Sequence, residues 1–125
     1  MTAILIRAGA VAVRAELLDT PTAAKIRDAL PIYGRVQTWG EEIYFTVAID
    51  SAEEPGARDV MDLGDIAFWP GGNAIVIGFG RTPVSRGDEI RLVSPCNVWA
   101  RAIDDVRAFA AVRSGDDVAV IEADS

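Results

Sequence analysis

Gly64-Asp65-Ile66-Ala67-Phe68-Trp69-Pro70-Gly71-Gly72-Asn73-Ala74-Ile75-Val76-Ile77-Gly78-Phe79-Gly80-Arg81-Thr82-Pro83 is the stretch whose reading decides the fold. Two short apolar runs, residues 66–69 and 74–77, flank the break Pro70-Gly71-Gly72-Asn73. Brief apolar runs on either side of such a turn spell a β-hairpin. A Gly-Asp turn opens the stretch, and the same pair recurs at Gly87-Asp88 and Gly115-Asp116, each time ahead of an apolar run. Glycine supplies the unusual backbone angles and aspartate bonds its own turn.

Working outward, Ile90, Leu92 and Val93 mark a short strand after the polar turn Ser85-Arg86-Gly87-Asp88, and residues 98–103 mark another. On the N-terminal side, residues 42–49 give the clearest strand. Ile43, Phe45, Val47 and Ile49 fall on one face and Tyr44, Thr46 and Ala48 on the other. Gly40 marks a tight turn before it, and residues 32–39 are extended. Residues 50–59 form a long polar loop. Residues 3–7 and 11–17 make an N-terminal hairpin, and residues 118–121 a closing strand.

Two helices interrupt the strands. Thr20 can cap a helix with Pro21 at its first position, Ala23, Ile26 and Leu30 on one face, and Pro31 as the stop. A second helical stretch is capped by Asp104 or Asp105, carries Val106, Phe109 and Val112 on one face, and ends at Gly115. Eight or nine short strands with two small helices give an all-β chain, an antiparallel barrel or a sandwich. Closure removes the sticky edges that so many apolar strands would expose.

Composition narrows the function classes. The chain has 125 residues, the size of one domain, so residues 1–125 are read as a single domain. Net charge is −7, with one lysine and no basic cluster, so neither nucleic acid nor an anionic membrane is an expected partner. Cys96 is alone, which fits a reducing compartment, and the apolar run at residues 3–6 is too short for a signal peptide or a membrane span. Cytoplasm is the expected location. The absence of histidine removes the commonest general base, the Ser-His and Cys-His nucleophile systems and most transition-metal sites. No cofactor and no metal are expected.

Several stretches together resemble a known family. Thr38-Trp39-Gly40-Glu41-Glu42-Ile43-Tyr44-Phe45, Gly64-Asp65-Ile66-Ala67-Phe68-Trp69-Pro70, Phe79-Gly80-Arg81-Thr82-Pro83 and Asn97-Val98 are similar, in order and spacing, to motifs of the small cyclophilin-like proteins of bacteria and archaea. The resemblance implies a closed, eight-stranded antiparallel cyclophilin-like β-barrel with two short helices. Gly71 stands where that family usually repeats proline, and Gly78 where it tends to carry a bulkier residue. In true cyclophilins X-Pro isomerisation rests on an arginine, an apolar proline pocket and His, Trp and Gln side chains. The segment that carries that arginine has no match here, so no catalytic residue is carried over.

The candidate ligand-binding residues are Trp39, Tyr44, Trp69, Phe79, Arg81, Thr82 and Arg101. Trp39, Trp69, Trp99, Phe68 and Phe79 can line an apolar groove or fill the core. Trp69 and Phe79 stand out because each borders a Pro/Gly turn. Arg81, with Thr82 and Pro83, lies on a loop from which a guanidinium can reach a ligand carbonyl or carboxylate. Arg101 lies in a strand between Trp99 and Ile103, and Tyr44 beside Glu41-Glu42 is the one place where an acid–base pair offers itself. Adjacent strand residues point to opposite faces, so Glu41 and Glu42 do not converge and take a turn or edge role. Glu53, Glu54, Asp59 and Asp62 read as solvated, Gly78-Phe79-Gly80 as too short for a phosphate fingerprint, and Cys96 as a buried small hydrophobe.

Two functions are expected from this set. The first is a binding module that takes a peptide segment or small apolar ligand in an aromatic groove. The alternative is a weak peptidyl-prolyl isomerase with Arg81 or Arg101 as donor to the amide nitrogen.

Overall fold

The computed structural model describes residues 2–123. Among them the chain runs through strands β1 (Ala3–Ala8) and β2 (Val11–Leu17), helix α1 (Pro21–Ala29), and strands β3 (Ile32–Arg35), β4 (Gln37–Thr38), β5 (Glu42–Thr46), β6 (Arg58–Met61), β7 (Asp65–Trp69) and β8 (Ala74–Gly78). The long strand β9 (Ile90–Ala102), a 3-10 helix (Val106–Ala111) and β10 (Asp117–Glu122) complete it. All pairings are antiparallel, in the order β3-β10-β1-β2-β9-β7-β8-β5-β4, with β6 joined to β9 off this path. The two ends of the order, β3 and β4, are consecutive in the chain and separated only by buried Val36. The sheet therefore returns on itself as a nearly closed barrel with few free edges. The ten strands exceed the eight expected because a two-residue β4 and the off-path β6 are counted.

Alternation along each strand fills the interior. Ile4 and Ile6 (β1), Val13 and Ala15 (β2), Ile43 and Phe45 (β5), Ile66 and Phe68 (β7), Ile75 and Ile77 (β8), Trp99 (β9) and Val118 and Val120 (β10) form one buried core. Helix α1 lays Ala23 and Ile26 on it, capped by Thr20, whose side chain accepts from the Ala23 N–H at 3.1 Å. The C-terminal helix is 3-10 rather than α. Its apolar residues Val106, Phe109 and Val112 recur every third position, the 3-10 repeat, so all three face the core.

Three differences from the sequence reading have physical causes. β5 ends at Thr46, although Val47 and Ile49 stay buried, because beyond it only the Val47 N–H continues the pairing, to the Asn73 carbonyl. Residues 90–93 and 98–102 are parts of one strand, β9, which stops short of Ile103. Pro95 lacks the N–H a ladder needs, and just past it, between Cys96 and Asn97, the strand changes partners from β6 to β7 and then β2. The acidic loop is not simply solvated. Glu54 accepts from the Thr22 N–H and hydroxyl, while Asn97 bonds Thr22, the Glu54 N–H and the Ala52 carbonyl, which ties α1 and this loop to β9.

Candidate functional site

The strands β5, β7 and β8 send alternate residues outward. Glu42, Tyr44, Ala67, Trp69, Val76 and Gly78 belong to that outer face. The first half of β9 folds over it, held to β6 by Arg91, whose guanidinium reaches Asp59 at 2.7 Å and grips Glu89 at 3.0 and 2.8 Å. Met61, Ala67, Val76, Leu92 and Cys96 become a second apolar cluster, with Tyr44, Trp69, Ile90 and Val98 against its rim. Between the layers lies a cavity of about 220 Å³ lined by Trp39, Glu42, Tyr44, Trp69, Val76, Leu92, Val93 and Cys96.

Two turns shape its walls. Asn73 takes a left-handed conformation and closes the turn after Pro70. A Cβ at Gly72 would stand 2.3 Å from the Trp69 ring, so the indole rests on a turn that only glycine leaves low enough. Gly78 is small for a similar reason, since a Cβ there would stand 2.5 Å from Ile90 Cγ2. Ile90 of β9 thus fills the place beside Glu42's cross-strand partner.

The Trp39-Gly40-Glu41-Glu42 and Phe79-Gly80-Arg81-Thr82-Pro83 motifs form one clasp. The Phe79 N–H donates to the Glu41 carbonyl and the Glu41 N–H to the Arg81 carbonyl, both at 2.8 Å. A Cβ at Gly40 would lie 2.9 Å from the Arg81 carbonyl oxygen, and one at Gly80 would meet the Glu41 carboxyl at 2.6 Å. The clasp places Trp39 and Glu42 at the cavity while Glu41 points away from it.

Of the residues singled out in the sequence, Trp39, Tyr44 and Trp69 line the cavity together. Tyr44 Oη donates to Gln37 Oε1 at 2.8 Å, which fixes the phenol ring. Phe79 packs against the barrel core, and Trp99 is wholly inside it. Thr82 is buried in its loop, its hydroxyl donating to the Arg91 carbonyl. Arg81 is exposed on the clasp. Arg101, also exposed, stands 3.5 Å from Asp65 on the β7–β9 surface. These five are not among the cavity-lining residues.

Glu42 is the residue that sequence reasoning missed. The alternation that set it opposite Glu41 also set it on Tyr44's face, but nothing in the local sequence says that β9 covers that face. It is 4 % exposed, and its Oε1 has no hydrogen-bond partner. Burial pushes its carboxyl up from 4.5 to about 8, so it is mostly a neutral acid at pH 7. Burial, followed by the charges of Glu42, Asp59 and Glu53, pushes the Cys96 thiol up to about 12, leaving it an unreactive neighbour. Asp65 is equally buried but differs in having cations beside it: its Oδ2 accepts from Arg58 at 2.7 Å and from the Asp62 N–H at 2.9 Å, while its Oδ1, like Glu42 Oε1, has no hydrogen-bond partner among the described residues and stands 3.5 Å from Arg101.

Comparison with known proteins places this geometry. A search of curated proteins finds no match. Among solved structures, the solution structure of the hypothetical protein AF2241 from Archaeoglobus fulgidus is 37 % identical, with a TM-score of 0.83, over 98 % of this chain and 95 % of that one. The family model described as cyclophilin-like matches residues 2–121. With that model matching nearly the whole length and that structure sharing the fold, the chain belongs to the cyclophilin-like family.

Proposed function

We propose that this protein is a binding module whose site is the cavity between the outer face of β5, β7 and β8 and the first half of β9. Its occupant is a small ligand, or a peptide side chain, with an apolar body. The observation that carries this reading is a buried carboxyl with one unpartnered oxygen in a cavity otherwise walled by apolar and aromatic residues, Trp39, Tyr44 and Trp69 among them. Native interiors rarely leave space and an orphan polar group side by side, and ligand sites are built from apolar walls with a few placed polar groups. At about 220 Å³ the cavity exceeds the ~150 Å³ that accommodates benzene in an engineered core. The acidic surface and lone buried cysteine support a cytoplasmic setting.

Titrating small aromatic and aliphatic fragments into isotope-labelled protein tests the reading. Amide shifts should cluster at Glu42, Val76 and Leu92 and be weakened by Trp69→Phe. Shifts scattered over the surface, or none at millimolar fragment, would overturn it. A protease-coupled assay on X-Pro peptides decides the isomerase alternative. Turnover that vanishes on Arg81→Ala or Arg101→Ala would replace the binding-module reading.

A further inference from the structure

We infer that the cavity selects an organic ammonium: an apolar body seated among Trp39, Tyr44 and Trp69, with its cationic nitrogen on the Glu42 carboxyl. This deepens the binding reading above and rests on it. Four features on the page converge. Glu42 is the one carboxyl among the lining residues, it is more than nine-tenths buried, and one of its oxygens has no partner. Among the described residues no arginine or lysine lines the cavity, so no resident cation there competes for that oxygen. Three lining residues present aromatic rings, whose negative faces attract a cation within about 6 Å. The chain as a whole carries a net charge of −7, which draws cations towards it.

The other buried carboxylate shows what such a group requires. Asp65 has arginines at 2.7 and 3.5 Å, whereas none is among the residues lining the cavity at Glu42, so a cation that pairs with Glu42 there comes from solution. The titratable side chains beside Glu42 in the cavity are Tyr44 on its own strand and Cys96 on β9. β7 and β8 contribute Trp69 and Val76, which do not titrate. When the ammonium enters, the Glu42 O–H proton leaves to solvent and the nitrogen's N–H groups donate to the carboxylate formed. Binding near neutral pH therefore releases protons.

Benzylamine and benzyl alcohol, nearly the same shape but cationic and neutral at pH 7, provide the test. Calorimetry in two buffers of different ionisation enthalpy gives both affinity and protons released. Benzylamine is expected to bind at least tenfold more tightly than the alcohol and to release protons. Glu42→Gln should abolish that preference and the release. The wild-type proton count stands without the variant, should Glu42→Gln fold poorly. Equal or tighter binding of the alcohol, or benzylamine binding without proton release, overturns the ammonium assignment and leaves the cavity reading intact. Failure of both compounds to perturb Trp39, Tyr44 or Trp69 overturns both.

Discussion

The inner and outer faces of β5, β7 and β8 are built from alternate residues of the same strands, yet they obey different rules. Inside, Ile43, Phe45, Ile66, Phe68, Ile75 and Ile77 are essentially fully buried among apolar neighbours. Outside, Glu42, Tyr44, Trp69 and Val76 face a covering strand that does not fill the space beneath it. The inner layer is fully buried and holds the barrel together, while the outer one leaves a cavity and holds a carboxyl with an unpartnered oxygen. Stability and binding are thus separated by the two-residue period of a strand.

Substitutions that act on one face and not the other should show the separation. The largest effect is expected inside. Phe68→Ala should cost ~3–5 kcal/mol in denaturant unfolding, through lost burial and a cavity that neighbours cannot collapse into. Such a loss is a large share of a small domain's stability. A cost below ~1 kcal/mol would mean that the inner face is no tighter than the outer.

On the outer face, Glu42 should make stability fall with pH. Its folded value of about 8 lies above the 4.5 of the free side chain, so between these limits the folded state binds more protons than the unfolded state. Its contribution is intact below 4.5 and fully lost above about 8. Relative to Glu42→Gln, the native protein should lose up to ~1.4 kcal/mol per pH unit in that window. Parallel unfolding curves for the two proteins from pH 5 to 9 would remove Glu42 as a buried acid.

Gly78→Ala probes the roof. Its new methyl meets Ile90, so a cost of ~1–3 kcal/mol is expected, with much of it recovered by adding Ile90→Ala. Additive effects of the two changes would show that Ile90 does not sit there. The smallest effect belongs to Arg81→Ala, within ~0.5 kcal/mol of native stability and without consequence for fragment binding, because the side chain is exposed and outside the cavity.

Much of this arrangement was written locally in the chain. The hairpin at residues 66–77, the N-terminal hairpin and the capped helix α1 follow from turn residues and alternation, which are short-range signals. The aromatic walls Trp39, Tyr44 and Trp69 could be picked out because each sits near a turn or alternates with core residues. Glu42 could not, since its burial is caused by residues 90–96, far along the chain, and Pro95 disguised those residues as a separate strand. Arg81 and Thr82 drew attention for being in a dense motif. That density reflects the contact between two loops rather than a ligand: Gly40 and Gly80 are glycines because backbone and carboxyl atoms of the opposite loop leave no room for a Cβ.

That clasp has a consequence for how the protein can change over generations. The loop at residues 39–42 and the loop at residues 79–83 are separated by some forty positions, as the bond from the Arg81 N–H to Glu41 Oε1 spans. Gly40, in a left-handed backbone against Arg81 and Thr82, cannot gain a side chain unless the opposite loop yields, and one at Gly80 must swing the Glu41 carboxyl aside. The two segments should therefore be inherited as a pair, varying together or not at all, whereas the cavity walls beside them are free to diversify one residue at a time.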